Sequence, residues 1–256
     1  MPPPRHILSF AEYAAIRHAT PYLVDVARGG SRLLLFGVRH SSEPADPMFD
    51  QIEAAFATLS PAFALHEGTP PQVEPDREIA IRRHGEAGLV RHLAARAGIE
   101  TASMDIPLAE ETQLLRRTLA PDEVLVFLVV RQLASFNRKT ARMDFARYFG
   151  DFFALISPPL ELATIDWPLI EAAHVRVLGR PLAARQVTAT ETDPMRAELP
   201  TQRMARLSNR LRDEHMLRRL LDALAVHERV FATVGVSHAV MLAPALDAAA
   251  GPGDQP

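Results

Sequence analysis

Two segments of the 256-residue chain carry one pattern: Leu35-Phe-Gly-Val-Arg-His40 near the start and Thr233-Val-Gly-Val-Ser-His238 near the end. With 12 glycines and 10 histidines in the chain, roughly half a Gly-x-x-His is expected by chance, so placement says more than repetition. Each His40 or His238 follows an apolar run of strand length, and in an open parallel sheet ligands bind beyond the carboxyl ends of strands. The glycine is expected to let the chain turn sharply off the sheet and aim the imidazole into the crevice. Taken alone, each histidine reads equally well as a loop residue bonded to backbone; as a matched pair they point to a site. Glu67, in Leu65-His-Glu-Gly68, holds the equivalent place after another apolar run. A carboxylate there needs a partner, because burying it alone is costly. Two histidines and a carboxylate are the ligand set of many hydrolytic metal sites, with a position left for water.

Other candidates stand around these three. His66 is expected to point to the opposite strand face and to support the site from behind. Asp105, at the end of a third strand, reads as a further site carboxylate or, preferably, as the N-cap of the helix after Pro107. Arg82 and Arg83, with His84-Gly-Glu86, read as an anionic-substrate clamp or, more plainly, as surface. Asn209-Arg-Leu-Arg-Asp-Glu-His-Met216 has helical charge spacing, with Arg212 and Met216 an i,i+4 pair, and by itself reads as a solvated helix face.

These residues need elements to position them. Arg32–Gly37, Pro61–Leu65 and Arg229–Gly235 read as buried strands, and Ile99–Met104 as a further strand. Pro47–Leu59 and Gly85–Ala97, the latter closed by Gly98, read as crossover helices. Three successive strand–helix repeats imply an α/β fold with a parallel-rich central sheet flanked by helices. Ser9 and Glu12 form a capping-box signature for a short opening helix. The stretch from about 107 to 200 is helical and reads as an insertion or cap within a single domain spanning 9–250, with tails at 1–8 and 251–256. Thr69–Pro75 reads as a pocket-rimming loop and Gly179–Pro200 as a mobile connection. Gln202–His227 returns to a long helix.

Composition excludes several chemistries. Basic residues number 28 against 31 acidic ones, a net charge of -3, which gives no field for a phosphate backbone. Nucleic acid is not an expected partner. The chain has no cysteine, removing thiolate metal sites and a cysteine nucleophile. The longest apolar run, Val124–Val130, is far short of the roughly 20 residues that span a bilayer. It reads as buried, no membrane association is expected, and with no signal-type start the cytoplasm is the expected location. No Gly-x-Ser-x-Gly elbow, phosphate loop, His-Glu-x-x-His or dinucleotide fingerprint is present.

In the order of its motifs the chain resembles the TraB/Tiki family, within a broader group that includes erythromycin esterases and ChaN-like haem-associated proteins. The pieces are Gly37-Val-Arg-His40, Glu67, Arg212-Asp213 with Met216, and Gly235-Val-Ser-His238, spread over roughly residues 30 to 245. The resemblance implies a hydrolase in which His40, Glu67 and His238 hold a divalent ion of Mn, Co or Zn type, or activate water directly. The bond attacked would be an ester or peptide carbonyl of a small-molecule or peptide substrate. Glu67 would be ligand or general base, Arg212 would steady developing negative charge, and Asp213 would support from behind. A protein that binds haem or metal without turnover is the alternative of a different class. The middle of the chain has no counterpart in the resemblance, and substrate and oligomeric state stay open.

Overall fold

The structure is a computed structural model, and it describes residues 6–69, 72–138 and 144–250. The tail at 251–256, the first five residues of the expected N-terminal tail, and Pro70 and Pro71 of the expected rim loop lie outside them. The chain forms two compact units, one of residues 1–105 with 213–256 and one of residues 106–212. The expected helical cap is thus a unit of its own, longer than its predicted end at residue 200.

The first unit is an α/β sandwich. Its strands are β1 (Tyr22–Arg28), β2 (Ser31–Val38), β3 (Phe63–His66), β4 (Glu100–Ser103) and β5 (Arg229–Gly235), in the order β1-β2-β5-β3-β4. The pairs β2–β5, β5–β3 and β3–β4 are parallel. The edge pair β1–β2 is antiparallel, so the sheet is mixed. Sequence reading misses β1, although Gly29 and Gly30 between the two strands both take positive φ, the requirement of a two-residue hairpin turn. Central β5 is buried at every residue after Arg229, which explains its unbroken apolar run.

Alternation along β2 feeds two cores. Leu33 and Leu35 face a cluster with Leu242 and Leu246 of α9 (Val236–Ala250). Phe36 and Val38 face Phe49 and Ile52 of α2 (Pro47–Leu59) and Leu89 of α3 (Arg77–Ala97). The capping box of Ser9 and Glu12 starts α1 (Phe10–Ala14) as expected. Ahead of it Ile7 is buried and the Leu8 N–H donates to Met241 O at 3.0 Å. Those two residues are therefore packed structure where the sequence predicts a tail.

Helix α3 is bent. Gly85 takes φ 57° and ψ -139° inside it, and a Cβ on Gly88 would lie 2.2 Å from Ala80 O. Eight residues of straight helix span about 12 Å, so the chain folds back sharply at Gly85. The predicted helix from Gly85 is the half beyond this bend, closed by Gly98 at φ 69°.

The second unit packs α4 (Leu108–Arg116), α5 (Pro121–Arg138), α6 (Phe145–Leu160), α7 (Trp167–Leu178) and the first part of α8 (Pro200–Val226). All of Val124–Val130 is buried, as predicted, and Phe145 stacks on Trp167. Between Gly179 and Pro200 the chain forms two 3-10 turns, one with a Thr188–Glu191 capping box. The buried Glu111 carboxylate accepts from the partly exposed Arg131 at 2.7 and 3.0 Å and from Ser208 Oγ at 2.5 Å. Burial opposes its ionisation, yet Arg131 and the hydrogen bonds hold its pKa below the ordinary carboxylate value. No helix among the described residues is long and apolar enough to cross a membrane.

Removing Arg131 would strand this carboxylate. Arg131→Met is expected to lower the stability of the second unit by about 3 kcal/mol, since breaking a buried pair from one side leaves an uncompensated charge. Denaturant unfolding of the variant beside the wild type measures it; an unchanged midpoint would show that the pair contributes nothing.

Candidate functional site

The site forms where three adjacent parallel strands end, β2, β5 and β3 in that order. Register pairs Val38 with Gly235 and His66 with Thr233, and Glu67 N–H extends the ladder by donating to Thr233 O at 3.0 Å. Residues just beyond these ends must therefore meet, and His40, Glu67 and His238 do. His40 Nε2 lies 3.8 Å from Glu67 Oε2, and His238 Nε2 lies 3.9 Å from Glu67 Oε1. One carboxylate thus stands between two imidazoles, with its Oε2 also accepting the Gly235 N–H at 2.7 Å.

Each imidazole is anchored at its far nitrogen. His238 Nδ1 bonds Asp213 Oδ1 at 2.5 Å, and Asp213 is fully buried. His40 Nδ1 bonds the buried Glu86 carboxylate of α3. A carboxylate accepts only, so both Nδ1 atoms donate, and in the neutral ring the lone pair is then on the Nε2 that faces Glu67. The loop bearing His40 is tied at its far end, where Asp46 accepts the Met48 N–H at 3.0 Å and pairs with Arg39 at 3.1 Å. The Met48 bond leads in lowering the Asp46 pKa.

The two motif glycines do something other than turn the chain, and the expectation of a sharp turn is corrected. Neither has positive φ; Gly37 and Gly235 lie inside β2 and at the end of β5. A Cβ on Gly235 would sit 3.0 Å from His40 Nε2 and 3.4 Å from Glu67 Oε2. A Cβ on Gly37 would sit 2.6 Å from Ala239 Cβ and 2.9 Å from Tyr22 O. Each motif's glycine therefore makes room for the other motif: Gly235 for His40, and Gly37 for the first turn of α9, which carries His238 and Ala239. His238 is correspondingly a helix residue, where sequence reading places it in a loop.

The remaining candidates divide. Asp213 and Met216 are fully buried, against the plain reading of their stretch as a solvated face: Asp213 bonds His238, and Met216 packs in the core with Leu220 and Leu224. Asp105 caps no helix: the N-cap of α4 is Pro107, without a side-chain bond, and Asp105 Oδ2 instead accepts the Gly68 N–H at 2.6 Å. His66 is buried, its Nδ1 donating to Gly68 O at 3.1 Å. Burial and then the Arg91 charge lower its pKa, as suits a neutral support. The clamp is not formed: Arg82 is exposed and faces Glu78 at 3.5 Å, and Arg83 binds Glu74 at 2.9 Å. Arg212 belongs to the second unit, where it donates to Asn209 at 3.4 Å and helps lower the Glu111 pKa; the site described is built from the first unit alone. Sequence reasoning misses the role of Glu86. The available signal was Gly85, a helix-breaking residue directly before a carboxylate.

A cleft of about 370 Å³ opens on this cluster, its lining including His40, Glu67, His84, Glu86 and Asp105. His238 does not line it and reaches it through Glu67. As a donor set, two imidazoles held by carboxylates and one further carboxylate suit a divalent ion. Donors each about 2 Å from an ion can stand at most about 4 Å apart, so the spacing is at the outer limit. No group of three or more His, Asp or Glu among the described residues is placed closely enough to hold one as it stands. Comparison with family models, curated proteins and solved structures gives no match.

The reciprocal glycines make a differential prediction. Gly235→Ala is expected to displace His40 and cost activity with little loss of stability, since the crowded atom ends an exposed side chain. Gly37→Ala meets a packed methyl and backbone, and is expected to cost about 1–3 kcal/mol, as overpacking does. Melting temperatures and rates of the two variants check this; equal melting losses would show that the glycines are not so divided.

Proposed function

We propose that the chain is a hydrolase that activates water at His40 and Glu67 for attack on an ester or peptide carbonyl of a small-molecule or peptide substrate, as the resemblance to the TraB/Tiki family implies, and that it works in the cytoplasm. The observation that carries this reading is the anchoring of both Nδ1 atoms by carboxylates, which leaves the Nε2 of each ring facing Glu67.

A water in the cleft donates its hydrogens to His40 Nε2 and Glu67 Oε2. As its oxygen attacks the carbonyl carbon, its proton passes to His40, and Glu86 stabilises the imidazolium across Nδ1. Glu67 is kept in line by the Gly235 N–H, and His238, backed by Asp213, faces its other oxygen. Were a divalent ion bound, His40, Glu67 and His238 would hold it, and it would supply a lower pKa for water and polarisation of the carbonyl.

Glu67→Gln keeps shape and removes charge and basicity. It is expected to lower hydrolysis of a cleaved ester or peptide roughly 10²- to 10⁴-fold, as is His40→Ala, with melting temperature little changed. Metal content and rate, with and without chelator, are read alongside. Parallel loss of metal and rate in His40→Ala and His238→Ala supports the ion, and a chelator-insensitive wild type supports His40 as base alone. Full activity in both histidine variants overturns the proposal.

A further inference from the structure

The bend in α3 brings a third histidine to the cleft. On a regular helix, residues two apart point about 200° away from each other, so His84 and Glu86 should face opposite sides. Both line the same cleft. They do so because Gly85 between them is non-helical, and only glycine fits there: its φ is 57° and a Cβ would lie 2.8 Å from Ser41 O. Gly88 adds to this, since a Cβ on it would lie 2.8 Å from His84 Cβ. Two glycines in one helix each weaken it by roughly 1 kcal/mol relative to alanine. They place an imidazole and a carboxylate side by side where a straight helix cannot.

His84 is mostly buried, at 18% side-chain exposure, and its Nε2 stands 3.7 Å from Glu74 Oε1. Glu74 is itself buried and bonded by Gln72 at 2.8 Å and Arg83 at 2.9 Å. Those bonds lower its pKa, so a charged carboxylate stands near His84, at ion-pair distance and without the direct hydrogen bond that Glu86 makes to His40. Glu74 is fixed in turn through its backbone carbonyl, which accepts from His92 Nδ1 at 3.1 Å.

We infer that His84 is the group that donates a proton to the leaving atom, in the same cleft as His40, which takes one from water. The assignment rests on the water-activation reading above and goes beyond it. The water oxygen forms its bond to the carbonyl carbon as its proton goes to His40. The bond from that carbon to the leaving oxygen or nitrogen breaks with its electron pair on the leaving atom, which takes the proton of the His84 imidazolium. Solvent then reprotonates His84 and accepts the proton from His40.

A proton donor matters in proportion to how poorly the leaving group departs as an anion. The test measures kcat/KM of wild type, His84→Ala and His84→Gln on 4-nitrophenyl, phenyl and ethyl acetate, with melting temperatures. His84→Gln keeps a hydrogen-bonding side chain without a transferable proton and serves if the alanine variant is unstable. The expected loss grows along the series, from less than about threefold on the nitrophenyl ester to about 100-fold on the ethyl ester. Equal losses on all three, or no loss on the ethyl ester, overturn the role of His84 and leave the water-activation reading standing. A wild type confined to the nitrophenyl ester also counts against a proton donor. A wild type that cleaves none of the three removes the hydrolase reading, and this inference with it.

Discussion

The position of the Glu67 carboxylate between two imidazoles is the constraint from which the rest of the first unit follows. Holding it there requires the carboxyl ends of β2, β5 and β3 to be neighbours, which the strand order provides. It requires both imidazoles to come within 4 Å of one side chain, which brings His40 so near Gly235 that a Cβ there would crowd it. And it requires α9 to start against β2, which leaves no space for a Cβ on Gly37. The repeated Gly-Val-x-His is thus one steric device used twice, each copy incomplete without the other.

Carboxylates this deep are costly unless paired, and the chain pairs them in two ways. In the second unit Glu111 is bound by Arg131 and Ser208, a cation that never gives up its proton, so the arrangement is fixed in charge. In the first unit Asp213, Glu86 and Glu74 stand beside His238, His40 and His84. Imidazole exchanges protons near neutral pH, so the same need for a partner is met here by groups able to do acid–base work. The contrast is clearest between Glu111, held by arginine, and Asp213 and Glu86, held by histidine; Glu74 has both, with Arg83 at 2.9 Å and His84 at 3.7 Å.

Much of this was legible in the residues. β5 and α2 match their predicted spans to the residue, because an unbroken apolar run and an Asp46–Pro47 start leave little choice. Convergence of His40, Glu67 and His238 follows from strand ends once the sheet is parallel. What was not legible depends on contacts distant in sequence. Glu86 meets His40 across 46 positions, and nothing local to either marks the pairing. Asp213 lies in a charged helical stretch whose spacing describes a solvated face; only the packing of α8 buries it. Asp105 looked like a cap because a proline and a helix follow, yet the Gly68 N–H claims its side chain. The glycines were read for conformational freedom, when their use at 37 and 235 is the absence of a side chain.

The central claim is that His40 and His238 each present an Nε2 lone pair to Glu67 because carboxylates hold their Nδ1 protons. Nitrogen-15 NMR of the imidazoles in the intact protein, at a pH where both are neutral, reads the tautomer of each directly. The account predicts the Nδ1–H form for both, reverting for His238 in Asp213→Asn and for His40 in Glu86→Gln. An Nε2–H form at either histidine in the wild type would contradict it, since that lone pair would then face away from the cluster.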